Sequence, residues 1–106
     1  MYPMRHYRKC YTDYVRHALR YYSRFCADHL PDTMGDVEID NYGACDEAMK
    51  EFSERERAMF LFIYRSRADF ELAVRQATYQ WDIAPNVLWD NIKSLEQSVA
   101  KYRGLI

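Results

Sequence analysis

Histidine, cysteine and arginine are the side chains whose types and spacing could do chemistry here, and most of the candidates crowd into the first third of the chain. His6, His17 and His29, with Cys10 and Cys26, offer the imidazoles and thiols that a zinc-type ion takes as ligands. Their spacings match no metal-ligand signature, so they read as structural residues, with no metal and no cofactor expected. Cys10, Cys26 and Cys45 are odd in number and far apart, the pattern of reduced, partly buried thiols rather than disulfide staples. Arg16, Arg20 and Arg24 stand four apart, so on a helix they project in one row. Such a row grips a phosphate backbone or an acidic partner, forms a solvated face, or meets the acidic middle segment of its own chain or a neighbour's. No Ser-His-Asp set, Gly-rich phosphate loop or diagnostic carboxylate pair occurs, so a non-enzymatic protein without a small-molecule substrate is expected.

The arginine row needs a helix, and the apolar spacing supplies one. Tyr7, Tyr11, Tyr14, Ala18, Tyr22 and Phe25 form a stripe that Val15, Leu19 and Cys26 broaden, which predicts a long N-terminal helix over 5–30, ended by Pro31. Residues 31–41 carry Pro, Gly and four Asp/Glu with no helical period, and predict an acidic connector in loop conformation. A short helix is expected from Asn41 or Tyr42 to Phe52, with Ala44, Cys45, Ala48, Met49 and Phe52 inward. Asp40, Asp46 and Glu47 near its start suit the helix dipole, which accounts for them without catalysis. Ser53-Glu-Arg-Glu56 is a capping-box pattern that starts another helix. That helix passes through Ala58 to Tyr64, apolar nearly all round and so expected to be the most buried, before Arg65-Ser-Arg-Ala68 ends it. Asp69 caps the next helix, with Leu72, Ala73 and Ala77 inward and Tyr79 or Gln80 continuing them.

A break at Trp81 to Ala84 then leads to Pro85, whose fixed φ and missing N–H suit a first helical position. Leu88, Ile92, Leu95, Val99 and Tyr102 recur at helical spacing behind it, Gly104 is a C-terminal cap, and Leu105 and Ile106 are an apolar tail. Helix, tight break and Pro-launched helix make a helix-turn-helix unit. The fold class is therefore all-α: a long N-terminal helix followed by a compact bundle of about five helices in all, containing the helix-turn-helix. Three Gly, three Pro and 16% aromatic residues agree, because a sandwich of short strands would need far more turn residues. At 106 residues and 49% apolar, the chain predicts a single domain, 1–106.

Net charge is −1, but the charges are segregated. Residues 1–31 carry six Lys/Arg against two Asp, residues 32–58 nine Asp/Glu against three Lys/Arg, and residues 59–106 six basic against five acidic side chains. No large positive excess lies near the helix-turn-helix, where a phosphate-binding protein usually shows one. The longest apolar run, Ala58 to Tyr64, is far short of the ~20 residues of a spanning helix, and the N-terminus lacks the apolar block of a signal peptide. A cytoplasmic protein with no membrane partner is expected.

The order Phe52-Ser-Glu-Arg-Glu-Arg57, a buried helix, a connector, Ala73 to Tyr79, Ile83-Ala-Pro85, Leu88, Ile92 and Leu95-Glu96 resembles the helix-turn-helix domain by which bacterial sigma factors and related small regulators read promoter DNA. It resembles more closely the short sigma-like proteins of phages and mobile elements of Firmicutes, in which a Tyr-rich N-terminal helix precedes a similar unit. The resemblance covers about half the chain and places a sigma-like unit over 52–104. It implies a transcription regulator whose partner is double-stranded DNA, with Leu88, Ile92 and Leu95 inward and Asn86, Val87, Trp89, Asp90 and Lys93 offered to the major groove. Asn86 would bond adenine edges, Lys93 phosphate or guanine, and Val87 a thymine methyl, with Arg16, Arg20 and Arg24 as auxiliary phosphate or partner contacts. Two positions depart from the pattern. Ala84 takes the cap position where such families carry Ser or Thr, and Asp90, which could accept from a cytosine amine, faces phosphate with a negative charge. Trp89 suits a protein interface better than a DNA contact. Exposure of Trp89, Leu105, Ile106 and part of the Tyr stripe would therefore signal RNA polymerase binding or self-association.

Overall fold

Five α-helices and no strand make up the described residues: α1 (Tyr2–Phe25), α2 (Asp36–Met49), α3 (Glu54–Arg65), α4 (Phe70–Gln80) and α5 (Pro85–Tyr102). This computed structural model describes residues 2–25 and 34–106, with side chains over 11–25 and 34–106. Cys26, His29 and Pro31, on which the expected end of the first helix rested, lie outside the described residues, as do the side chains of His6, Tyr7 and Cys10.

Over 11–25, α1 turns Val15, Ala18, Leu19, Tyr22 and Ser23 inward, the i, i+3, i+4, i+7 pattern of a helix with one buried face. It packs on α2, α3 and α5, while α5 packs on α1, α2 and α4. The largest sealed side chains, Tyr64 and Phe60 of α3 and Leu19 of α1, meet Leu88, Ile92 and Leu95 of α5 in one continuous core. Each such burial is worth about 1.5–3 kcal/mol. The Cα radius of gyration, 13.7 Å, is close to the roughly 13 Å of a folded chain of this length.

Local signals fix the starts of α3 and α5. The Glu56 N–H donates to the Ser53 hydroxyl (3.2 Å) and the Ser53 N–H to the Glu56 carboxylate (2.9 Å), so the capping box is complete. Pro85 opens α5 behind Ala84, which is extended and offers no side-chain cap. α5 closes on Gly104 (φ 75°), where the Leu105 N–H reaches the Ala100 carbonyl (2.8 Å) and the Gly104 N–H that of Lys101 (3.1 Å). These two bonds are the Schellman pair, and they fold Leu105 back against the core.

Three boundaries and faces differ from expectation. α2 begins at Asp36, not near Asn41, and ends at Met49, not Phe52, so residues 36–40 of the supposed connector are helical. Asp36 and Glu38 favour the dipole of that first turn, but Val37 and Ile39 are 54% and 53% exposed, so it makes no core contact and leaves no apolar period to read. In α4 the buried stripe is Ala73, Val74 and Ala77, whereas Leu72 and Tyr79 are 42% and 83% exposed. Those two lie seven residues apart on the opposite side, and taking Leu72 as inward puts the face out of register. α3 is sealed along Met59, Phe60, Ile63 and Tyr64 only, with Leu61 and Phe62 half-buried and Ala58 exposed. The reason is that only α1 and α4 cover it closely, so its other edge stays open.

Candidate functional site

α4, the turn after it and the first half of α5 make up the segment that the sequence reading assigns to a helix-turn-helix. The turn is set by backbone geometry: Trp81 ends α4, and Asp82 takes φ 50°, a left-handed conformation that a non-glycine residue adopts at a cost. The Ile83 N–H donates to the Thr78 carbonyl (3.1 Å), the long bond of a Schellman cap, and Ile83 packs against the core. α3 holds the turn from behind, where the Arg55 guanidinium donates to the Trp81 carbonyl and the Trp81 ring meets Phe62 edge-on at 5.2 Å between centroids.

With the turn fixed, α5 seals Leu88, Ile92 and Leu95 and leaves Asn86, Val87, Trp89, Asp90 and Lys93 exposed. The five residues singled out in the sequence thus share the outer side of one helix. Trp89 is 37% exposed against 45% for Val87, and its ring leans on Phe70 at 5.9 Å. Charges nearby are mixed: Asp82 and Asp90 sit with Lys93 on and before α5, and Glu71 with Arg75 on α4.

The arginine row does not stay together. Arg16 is not an outward contact: its Nε donates to Glu96 Oε2 at 2.7 Å, and its guanidinium lies 4.2 Å over the Phe70 ring. Its partner is in α5, not in the acidic middle segment. Arg20 is half-buried, and its Nε is covered with no hydrogen-bond partner among the described residues. Arg24 is exposed. The physical reason is helical drift, since each four-residue step overshoots a full turn by about 40°, so the row winds from the core edge to solvent.

Glu96 is the residue that sequence reasoning missed. It is only 5% exposed, and one carboxylate oxygen accepts from both Arg16 Nε and the Tyr64 hydroxyl (2.7 Å). That oxygen joins α1, α3 and α5. Burial beside this carboxylate pushes the Tyr64 hydroxyl well above the usual phenol range, so it stays protonated and donates. The available signal was that Glu96 lies seven residues after Trp89 and four after Ile92, on the flank of the apolar stripe. A charge there reads as the border of the solvated face until a partner is placed opposite it. A second omission is Arg65, whose Nε donates to the Ser23 carbonyl (3.0 Å) and draws the end of α3 beside the end of α1.

No metal centre emerges among the described residues, where no group of three His, Cys, Asp or Glu side chains converges. Cys45 is buried, and desolvation with the neighbouring Asp46 charge pushes its thiol up to about 12. That is the opposite of an activated nucleophile. No helix among the described residues is long and apolar enough to cross a membrane. No protein-family model, curated protein or solved structure matches the chain.

Proposed function

We propose that the chain is a small, non-enzymatic transcription regulator of sigma-like helix-turn-helix type, from a phage or mobile element, that lays α5 in the major groove of double-stranded DNA. One observation carries the reading: the buried stripe Leu88, Ile92, Leu95 and the firmly held turn leave Asn86, Val87, Trp89, Asp90 and Lys93 exposed along one side of α5. In this reading Asn86 bonds an adenine edge, Val87 meets a thymine methyl, Asp90 accepts from a cytosine amine and Lys93 reaches guanine or phosphate. Lys93→Glu lowers affinity for duplex DNA by roughly five- to a hundredfold in a mobility-shift assay, the range of one good base or phosphate contact. Absence of binding by the unaltered protein to any duplex in a random pool at low salt would remove the proposal.

The second reading is a protein-interaction module on the same scaffold, docking on RNA polymerase or a phage protein or on a second copy. It is favoured by the exposed apolar side chains Leu72 and Tyr79 on α4 and Val87 and Trp89 on α5. Light scattering and pull-down separate the two, because a strict monomer that recovers no protein partner counts against the module.

A further inference from the structure

Phe70, the first residue of α4, is held by two other helices. The Arg16 guanidinium of α1 lies 4.2 Å over its ring, and the Tyr64 ring of α3 meets it at 5.4 Å between centroids. Arg16 and Tyr64 both donate to one Glu96 oxygen at 2.7 Å, so these four side chains form a closed circuit that none leaves without breaking two contacts. Trp89 joins the circuit from α5, its ring 5.9 Å from that of Phe70. Trp89 also borders a cleft of about 150 Å³ between α4 and α5, walled by Glu71, Val74, Arg75, Thr78 and Pro85, which gives an unheld indole room to turn. On α5, Trp89 stands three residues after Asn86 and four before Lys93, so the three share one row along the outer side.

We infer that Trp89 is a specificity-determining residue that meets a thymine methyl, and that Phe70 is the positioning residue that fixes its ring; the inference rests on the major-groove reading of α5. In the major groove the base edges present hydrogen-bonding groups, and the thymine methyl is the apolar one. An indole in the row between Asn86 and Lys93 has that methyl as its match. A free indole gives up its rotamer freedom on binding, whereas one already stacked on Phe70 has given it up during folding, which leaves more of the contact as affinity. Orientation also sets which base pair the ring meets, because a ring turned into the cleft leaves the row. Arg16 and Glu96 act at one further remove, by seating Phe70.

The test begins with NMR relaxation of the indole N–H groups in the unaltered protein, Phe70→Leu and Phe70→Tyr. Trp81, which packs on Phe62 at 5.2 Å, is the internal control. The Trp89 order parameter is expected near the rigid value of about 0.85 in the unaltered protein and in Phe70→Tyr, and below about 0.6 in Phe70→Leu, while Trp81 stays rigid throughout. Affinity for a duplex selected from a random pool is then measured for Phe70→Leu, Trp89→Ala and the double variant, with thermal melting to check that each is folded. Phe70→Leu weakens binding roughly two- to tenfold, the range for ordering one side chain, and has no effect in the Trp89→Ala background. Replacing one thymine of the selected site by deoxyuridine, which lacks the methyl, weakens the unaltered protein about fourfold and Trp89→Ala not at all. This last comparison alters no buried residue, so it tests the contact even where Phe70→Leu is unstable. A Phe70→Leu loss of the same size in both backgrounds, a Trp89 that stays rigid in Phe70→Leu, or a site with no thymine whose methyl depends on Trp89 overturns the inference and leaves the reading of α5 standing. Failure of the unaltered protein to bind any duplex at low salt overturns both.

Discussion

A single oxygen of Glu96 takes two hydrogen bonds at 2.7 Å, one from Arg16 and one from Tyr64, in a residue only 5% exposed. Truncating it strands a buried hydroxyl and a half-buried guanidinium at once. Glu96→Ala is expected to destabilise the fold by about 3 kcal/mol, the cost of breaking a largely buried pair, as read from urea unfolding. Glu96→Gln keeps an acceptor for Tyr64 and should lose clearly less. The buried acids Tyr64 and Cys45 give stability a pH signature. Both are raised by burial, Cys45 from an ordinary 9.0 to about 12, so the folded state holds protons that the unfolded chain releases earlier. Stability from these groups is full below about pH 9 and is lost as pH rises towards 12. Urea midpoints should therefore fall across that window, less steeply in a Cys45→Ala variant compared with its own neutral value. A flat profile in the unaltered protein would contradict the burial of both groups.

At the scale of elements, the turn between α4 and α5 stores strain at Asp82, the non-glycine residue with positive φ among those described. Glycine adopts this conformation without the Cβ clash, so Asp82→Gly should stabilise the protein by about 0.5–1 kcal/mol, a gain of several degrees in Tm for a chain of this size. A loss of stability would mean that the Asp82 side chain contributes more than its backbone costs. Elements governed by their own residues were legible from the sequence. Ser53 and Glu56 specify a cap within four residues, and Pro85 opens α5, because each acts on backbone groups next to it. The start of α2 was not legible, since Val37 and Ile39 face solvent and register no core-facing period. Leu72 misled for the complementary reason: its apolarity suggests burial, but the small Ala73 and Ala77 are what close packing selects.

For the whole molecule, legibility depended on which elements meet. The outer side of α5 could be read because Leu88, Ile92 and Leu95 mark its inner side within one helix. The destinations of Arg16, Arg65 and Glu96 could not, because each partner lies more than 30 residues away and no local spacing encodes it. The arginine row therefore divides into an internal tie at Arg16, a half-buried Arg20 and an exposed Arg24.

The shared oxygen of Glu96 also bears on how the molecule opens. Its donors come from 80 and 32 residues earlier in the chain, so the junction forms only after the first and last helices have met. Neither α1 nor α5 can then peel away alone without exposing the carboxylate's partners, and the two helices should behave as one cooperative unit. Native-state amide exchange is expected to give the buried stretch around Val15 to Leu19 and that around Leu95 to Val99 the same opening free energy, equal to global unfolding. The exposed first turn of α2 at Asp36 to Ile39 should exchange far sooner, and earlier release of α1 than of α5 would show that the junction does not bind them.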